Sequence, residues 1–163
     1  AAQNDVPQPD TPGLQLWRAC TILREYRGDA HWAATAASGI DAVECHILHA
    51  ADGAMPEDLL QRVTGWQDSH WEEAKERLRT RGLLQKNDAQ LALTVAGEEV
   101  KLFIERSTDS GSSSPVLAVG DKQTTELTQL MKPWIVAIMD ADVIGAWKMR
   151  EQLWRDLPEE KNV

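Results

Sequence analysis

The chain has 163 residues, 42% hydrophobic and 26% charged, a usage that fits a globular domain and excludes wholesale disorder. Seventeen Lys plus Arg against twenty-six Asp plus Glu leave a net charge of −9, which opposes indiscriminate attraction to nucleic acid or anionic lipid but allows a local basic face. No apolar run nears the roughly 18 residues of a membrane span, and residues 1–13 lack the pattern of a secretory leader, so a cytoplasmic protein without a membrane partner is expected.

Residues 1–13 are polar and rich in Pro and Asp, and read as a linker or disordered lead-in. Residues 14–39 carry N-terminal helices. Leu16, Cys20 and Leu23 form the stripe of a first helix that Gly28 closes, and residues 31–37 form a short second one. Ile40, Val43 and Ile47 lie along a third helix ending near residue 51. A short helix starts at Pro56, and Gly65 stops it. Ser69-His70-Trp71-Glu72 has the spacing of a capping box for the next helix, whose apolar face is Trp71, Ala74 and Leu78 and whose end is Gly82. Residues 83–85 and 90–93 read as two short strands around a polar turn, and Thr94 caps a helix carrying Val100, Phe103 and Ile104.

The Ser/Gly-rich stretch 107–120 reads as a flexible loop. Residues 121–157 read as C-terminal helices. Leu127, Leu130, Met131, Trp134 and Ile138 give the first a strong stripe, Pro133 predicts a kink or break, and Val143, Ala146, Trp147 and Trp154 suggest a further helix. The order of elements over residues 40–106 predicts a mainly α fold: a winged helix-turn-helix, with a three-helix core plus a two-stranded wing, flanked by dimerisation-type helices.

Two stretches carry a resemblance. "ERLRTRGLL" (residues 76–84) and "LTVAG" (residues 93–97) make residues 40–105 similar to the winged domain of the multiple-antibiotic-resistance-regulator (MarR-like) class. "LREYRGDAHWAA" (residues 23–34) resembles a phrase close to LREHRGDGHVAA from an actinobacterial helix-turn-helix family of no established activity, a likeness covering most of residues 14–140. The first resemblance implies a DNA-binding transcriptional regulator. It also implies a homodimer paired through residues 14–37 and 121–157, with an organic effector between the dimer helices and the winged domain.

On that reading Ser69 and His70 approach bases while Arg77, Arg79, Arg81 and Lys86 contact phosphate. Residues 56–86 are nevertheless neutral: Arg62, Lys75, Arg77, Arg79, Arg81 and Lys86 balance Glu57, Asp58, Asp68, Glu72, Glu73 and Glu76. The acidic half falls where base edges would be met. The alternative is therefore a domain that no longer binds DNA and serves as a small-molecule or protein-interaction module, possibly within a longer protein.

Candidate ligand residues are Trp17, Arg27, Asp29, His31, Trp32 and Trp66, with Trp71 and Trp134 as further aromatics; each Trp on a helical stripe also serves as plain core. His46 and His49 have a spacing that can share a metal, but no His-Glu-x-x-His pattern accompanies them, so no metal is assigned. Cys20 and Cys45 form no Cys-x-x-Cys pair, which argues against a disulfide scaffold. No nucleophile elbow, phosphate loop or paired carboxylates stand out. The expectation is a non-enzyme without a cofactor.

Overall fold

A computed structural model describes residues 6–86 and 91–141. Among these the protein is mainly helical: α1 (Pro12–Ala37), α2 (Ala42–Ala51), α3 (Glu57–Thr64), α4 (Asp68–Thr80), α5 (Val95–Ser112), α6 (Ser114–Val119) and α7 (Asp121–Asp140). The chain divides into two compact units, residues 1–115 and 116–163.

In the first unit α1 packs along α5, and α2 packs on α4 and α3. The core holds Ile40, Val43, Ile47 and Leu48 with Leu60, Trp71, Ala74 and Leu78, closed off by Leu83, Leu84, Leu93 and Ile104. Trp71 is 1% exposed, and its Nε1 donates to Glu57 Oε1 at 2.8 Å, so its polar edge is satisfied inside the core.

Helix α1 starts with Pro12 in the first turn, where the missing N–H costs nothing. It does not stop at Gly28, and the separate helix expected over residues 31–37 is its last part. The reason is tertiary. Arg27 pairs with Glu105 and Asp109, and His31 meets Thr108, so α5 holds both sides of the glycine, while Tyr26 hydrogen-bonds Ser114 at the start of α6. A further correction concerns the stretch 107–120, expected as a loop: residues 114–119 form α6, and residues 107–112 are the last turns of α5, for the same reason. Their small side chains let the two helices approach closely. A Cβ at Gly111 would stand 3.1 Å from that of Ala30, and Thr108 is fully buried. Ahead of α1, Arg18 donates to the Pro7 carbonyl at 2.6 Å and Gln15 to that of Pro9 at 2.9 Å, which ties this stretch to the helix.

The two-stranded wing is not found. Among the described residues there is no strand, and Leu84 and Leu93 form one isolated antiparallel bridge. The Gln85 N–H donates to the Ala92 carbonyl and the Thr94 N–H to that of Leu83, both at 3.0 Å. Leu83, Leu84 and Leu93 anchor the base of the two legs in the core. Beyond them Gln85 and Lys86 are exposed on the first leg, and Leu91 on the second is only partly buried, so little apolar surface supports the ladder, and an isolated two-stranded ribbon is marginal in water. The turn tip, residues 87–90, lies outside the described residues.

In the second unit α7 continues through Pro133, so of the kink or break expected there no break occurs. One lost hydrogen bond on a helix with no buried residue leaves a carbonyl that water can satisfy. The further helix expected around Val143 to Trp154 lies outside the described residues.

Candidate nucleic-acid interface

Helices α3 and α4 are joined by the turn 65–67, with Gly65 in the left-handed conformation at φ 71°. Only glycine takes that geometry without strain, and it redirects the chain after a helix of eight residues. Trp71 and Lys75 on α4 both reach Glu57 on α3, at 2.8 and 2.7 Å, and fix the crossing of the pair.

The capping box expected at Ser69 and Glu72 does not form. Helix α4 begins at Asp68, and its N-cap, Gln67, makes no side-chain bond. The box present in the chain belongs to α2. The Glu44 N–H donates to Asp41 Oδ1 at 2.8 Å, and the Asp41 N–H donates to Glu44 Oε2 at 3.0 Å. Ser69 lies within the first turn of α4 instead, exposed beside His70, whose ring meets Trp66 edge-on at 6.0 Å.

The arginines expected to face phosphate divide. Arg77 donates from Nε to Glu44 at 3.0 Å and from Nη2 to Asp41 at 2.6 Å. Arg81 donates to the Gly39 carbonyl at 2.8 Å and to Glu44 at 3.3 Å. Glu44 is 3% exposed, so these two arginines serve the junction of α2 and α4. A shallow depression there is bordered by the carboxylates Asp41, Glu44, Glu73 and Glu76 against Arg77 and Arg81, which makes it net acidic. Arg79 lies 3.8 Å from Glu76, and with Thr80 and the exposed Lys86 these residues border a second depression where cations outnumber carboxylates.

The expected ligand residues are not gathered in one pocket. Trp17 and Trp32 are 73% and 53% exposed on α1, and 15 residues of helix separate them by about 22 Å. Trp66 belongs to the turn before α4, Arg27 is engaged with α5, and Asp29 is exposed. His31 instead joins Cys45 and His49. One ligand-type atom from each lies within 4.8 Å of the other two. Cys45 Sγ is 3.5 Å from His31 Nε2, and His31 Nδ1 is 3.2 Å from Thr108 Oγ1.

Burial raises the Cys45 thiol above its ordinary pKa, opposed by a hydrogen bond from Thr35. Burial, aided by Lys101, lowers His49 to about 4. His46 is lowered by burial and, to a smaller degree, by His31, and lies outside the group of three. The Cys45-x-x-x-His49 spacing was visible in the sequence, because i and i+4 share a helix face. What could not be read was the return of α1 that adds His31.

A helical protein whose α3 and α4 are joined by a glycine-led turn has the build of a helix-turn-helix protein. The chain belongs to a helix-turn-helix family, whose family model matches residues 1–145. Comparison with curated proteins gave no match.

Proposed function

We propose that the protein is a DNA-binding transcriptional regulator that reads DNA through α4. The observation carrying this is the α3–turn–α4 unit in a chain of the helix-turn-helix family. In such units the N-terminal part of the second helix meets base edges. Gln67, Ser69 and His70 are exposed there and can hydrogen-bond bases, while Arg79 and Lys86 suit phosphate at the other end. Arg77 and Arg81, paired with Glu44, and Arg79, paired with Glu76, would exchange these carboxylates for phosphate on this reading.

Pairing of two copies through helical flanks, as in MarR-like regulators, and response to an organic effector complete the proposal. Leu127, Leu130, Trp134 and Ile138 on α7 are the apolar surface offered for pairing; a strictly monomeric species in sedimentation equilibrium removes that part.

One observation favours a second reading, a module that binds a protein or small molecule and not DNA. Glu72, Glu73 and Glu76 are exposed on α4, where a groove-binding helix meets a polyanion. Fluorescence anisotropy with fragmented genomic DNA at low salt decides between them. The regulator binds, and its affinity falls linearly in log–log form with added salt. No binding at the lowest salt, where phosphate contacts are strongest, leaves the second reading.

A further inference from the structure

We infer that His31, Cys45 and His49 form a binding site for a borderline divalent transition metal of the zinc class, held between α1 and α2. Cys45 and His49 are one turn apart on α2 and present their side chains on the same face, and His31 enters from α1. In tetrahedral coordination, metal–sulfur and metal–nitrogen bonds of about 2.3 and 2.0 Å hold sulfur and nitrogen about 3.5 Å apart. Cys45 Sγ and His31 Nε2 already stand at 3.5 Å. The His49 nitrogen, within 4.8 Å of both, closes the set by a side-chain rotation.

The surroundings fix the ligand state of His31. The Thr108 hydroxyl donates its proton to the Ile104 carbonyl at 2.8 Å, so towards His31 Nδ1 it accepts. Nδ1 therefore carries the hydrogen, and the Nε2 lone pair points at Cys45. A second partner orienting a histidine from its far nitrogen is the usual arrangement around bound metal.

Two imidazoles and a thiolate select zinc, cobalt or copper over magnesium or calcium, which demand oxygen. Three protein ligands leave a fourth position for water or a small ligand. On binding, the Cys45 thiol releases its proton to solvent as the metal–sulfur bond forms.

The test uses the full chain, stripped with a chelator and kept under a non-thiol reductant, titrated with Co²⁺ and then Zn²⁺. The expected result is a one-to-one Co²⁺ complex with a thiolate-to-cobalt charge-transfer band and tetrahedral d–d absorption, both abolished by Zn²⁺. Cys45→Ala abolishes the charge-transfer band, and His49→Gln weakens Co²⁺ binding on the order of 100-fold. Cys20→Ser and His46→Gln leave the titration unchanged. Absence of a saturable band in the unsubstituted protein overturns the inference, as does a band that survives Cys45→Ala or disappears with Cys20→Ser. Should Cys45→Ala fail to fold, the unsubstituted, Cys20→Ser and His49→Gln titrations decide alone.

Discussion

Glu44 combines three tasks. It closes the capping box of α2, receives Arg77, and receives Arg81, all while 3% exposed. Glutamine there leaves two guanidinium groups facing a neutral amide, while its oxygen can still accept from the Asp41 N–H. Both arginines keep access to water, with side chains 45% and 37% exposed, so the loss falls below that of a fully buried pair. Glu44→Gln should cost about 2–3 kcal/mol, read as a fall of roughly 5–10 °C in melting temperature. A change under 1 °C would show that the junction of α2 and α4 holds without it. Gly97 makes a different demand. A Cβ there would lie 2.1 Å from the Leu83 carbonyl oxygen, a backbone atom of the bridged leg. The "LTVAG" phrase thus has a steric meaning: Thr94 caps α5 by accepting from the Gly97 N–H, and the glycine lets α5 start against Leu83. Gly97→Ala should destabilise by roughly 2 kcal/mol or more despite alanine's better helix propensity, because the backbone must shift. Denaturant unfolding with no loss of midpoint would disprove the close approach.

At the scale of elements, local signals were read well where a core residue or a left-handed glycine decided the outcome. The apolar faces of α2 and α4, the stop at Gly65 and the Thr94 cap all followed from the sequence, because each depends on neighbours within one turn. The failures came where distant contacts outweighed local preference. The Ser69 to Glu72 spacing misleads because α4 already starts at Asp68, whereas the box that forms, Asp41 with Glu44, has its glutamate secured by Arg77 and Arg81 from α4. The arginine pattern told of a cationic face, yet its two ends answer carboxylates on α2, more than thirty residues away. The continuity of α1 through Gly28 belongs to the same class, and it can be measured. Nothing lies within 4 Å of a Cβ at Gly28, so Gly28→Ala adds helix propensity without a clash. It should stabilise by about 0.5–1 kcal/mol. Were α1 instead two helices meeting at a turn there, the same change would be destabilising.

For the whole molecule, charge decides more than fold. The helix-turn-helix supplies a shape that fits a major groove, but shape alone leaves function open. With a net charge of −9, long-range attraction to DNA is weak, and affinity must come from the local distribution. Glu72, Glu73 and Glu76 are exposed on α4 and oppose a polyanion, while Arg79 and Lys86 at its far end attract one. If α4 enters the groove, replacing these three glutamates by glutamine removes repulsion where the phosphates are nearest. Each charge neutralised in such a field contributes about 0.5–1 kcal/mol at low salt, so the triple variant should bind DNA at least about tenfold more tightly. The gain should shrink as salt rises, since screening acts on the same charges. None of the three contributes to the core, so stability changes little apart from the Glu72–Lys75 and Glu76–Arg79 pairs. Titration of both proteins at two ionic strengths reads the effect directly. Equal affinities at low salt would mean that α4 faces away from the nucleic acid.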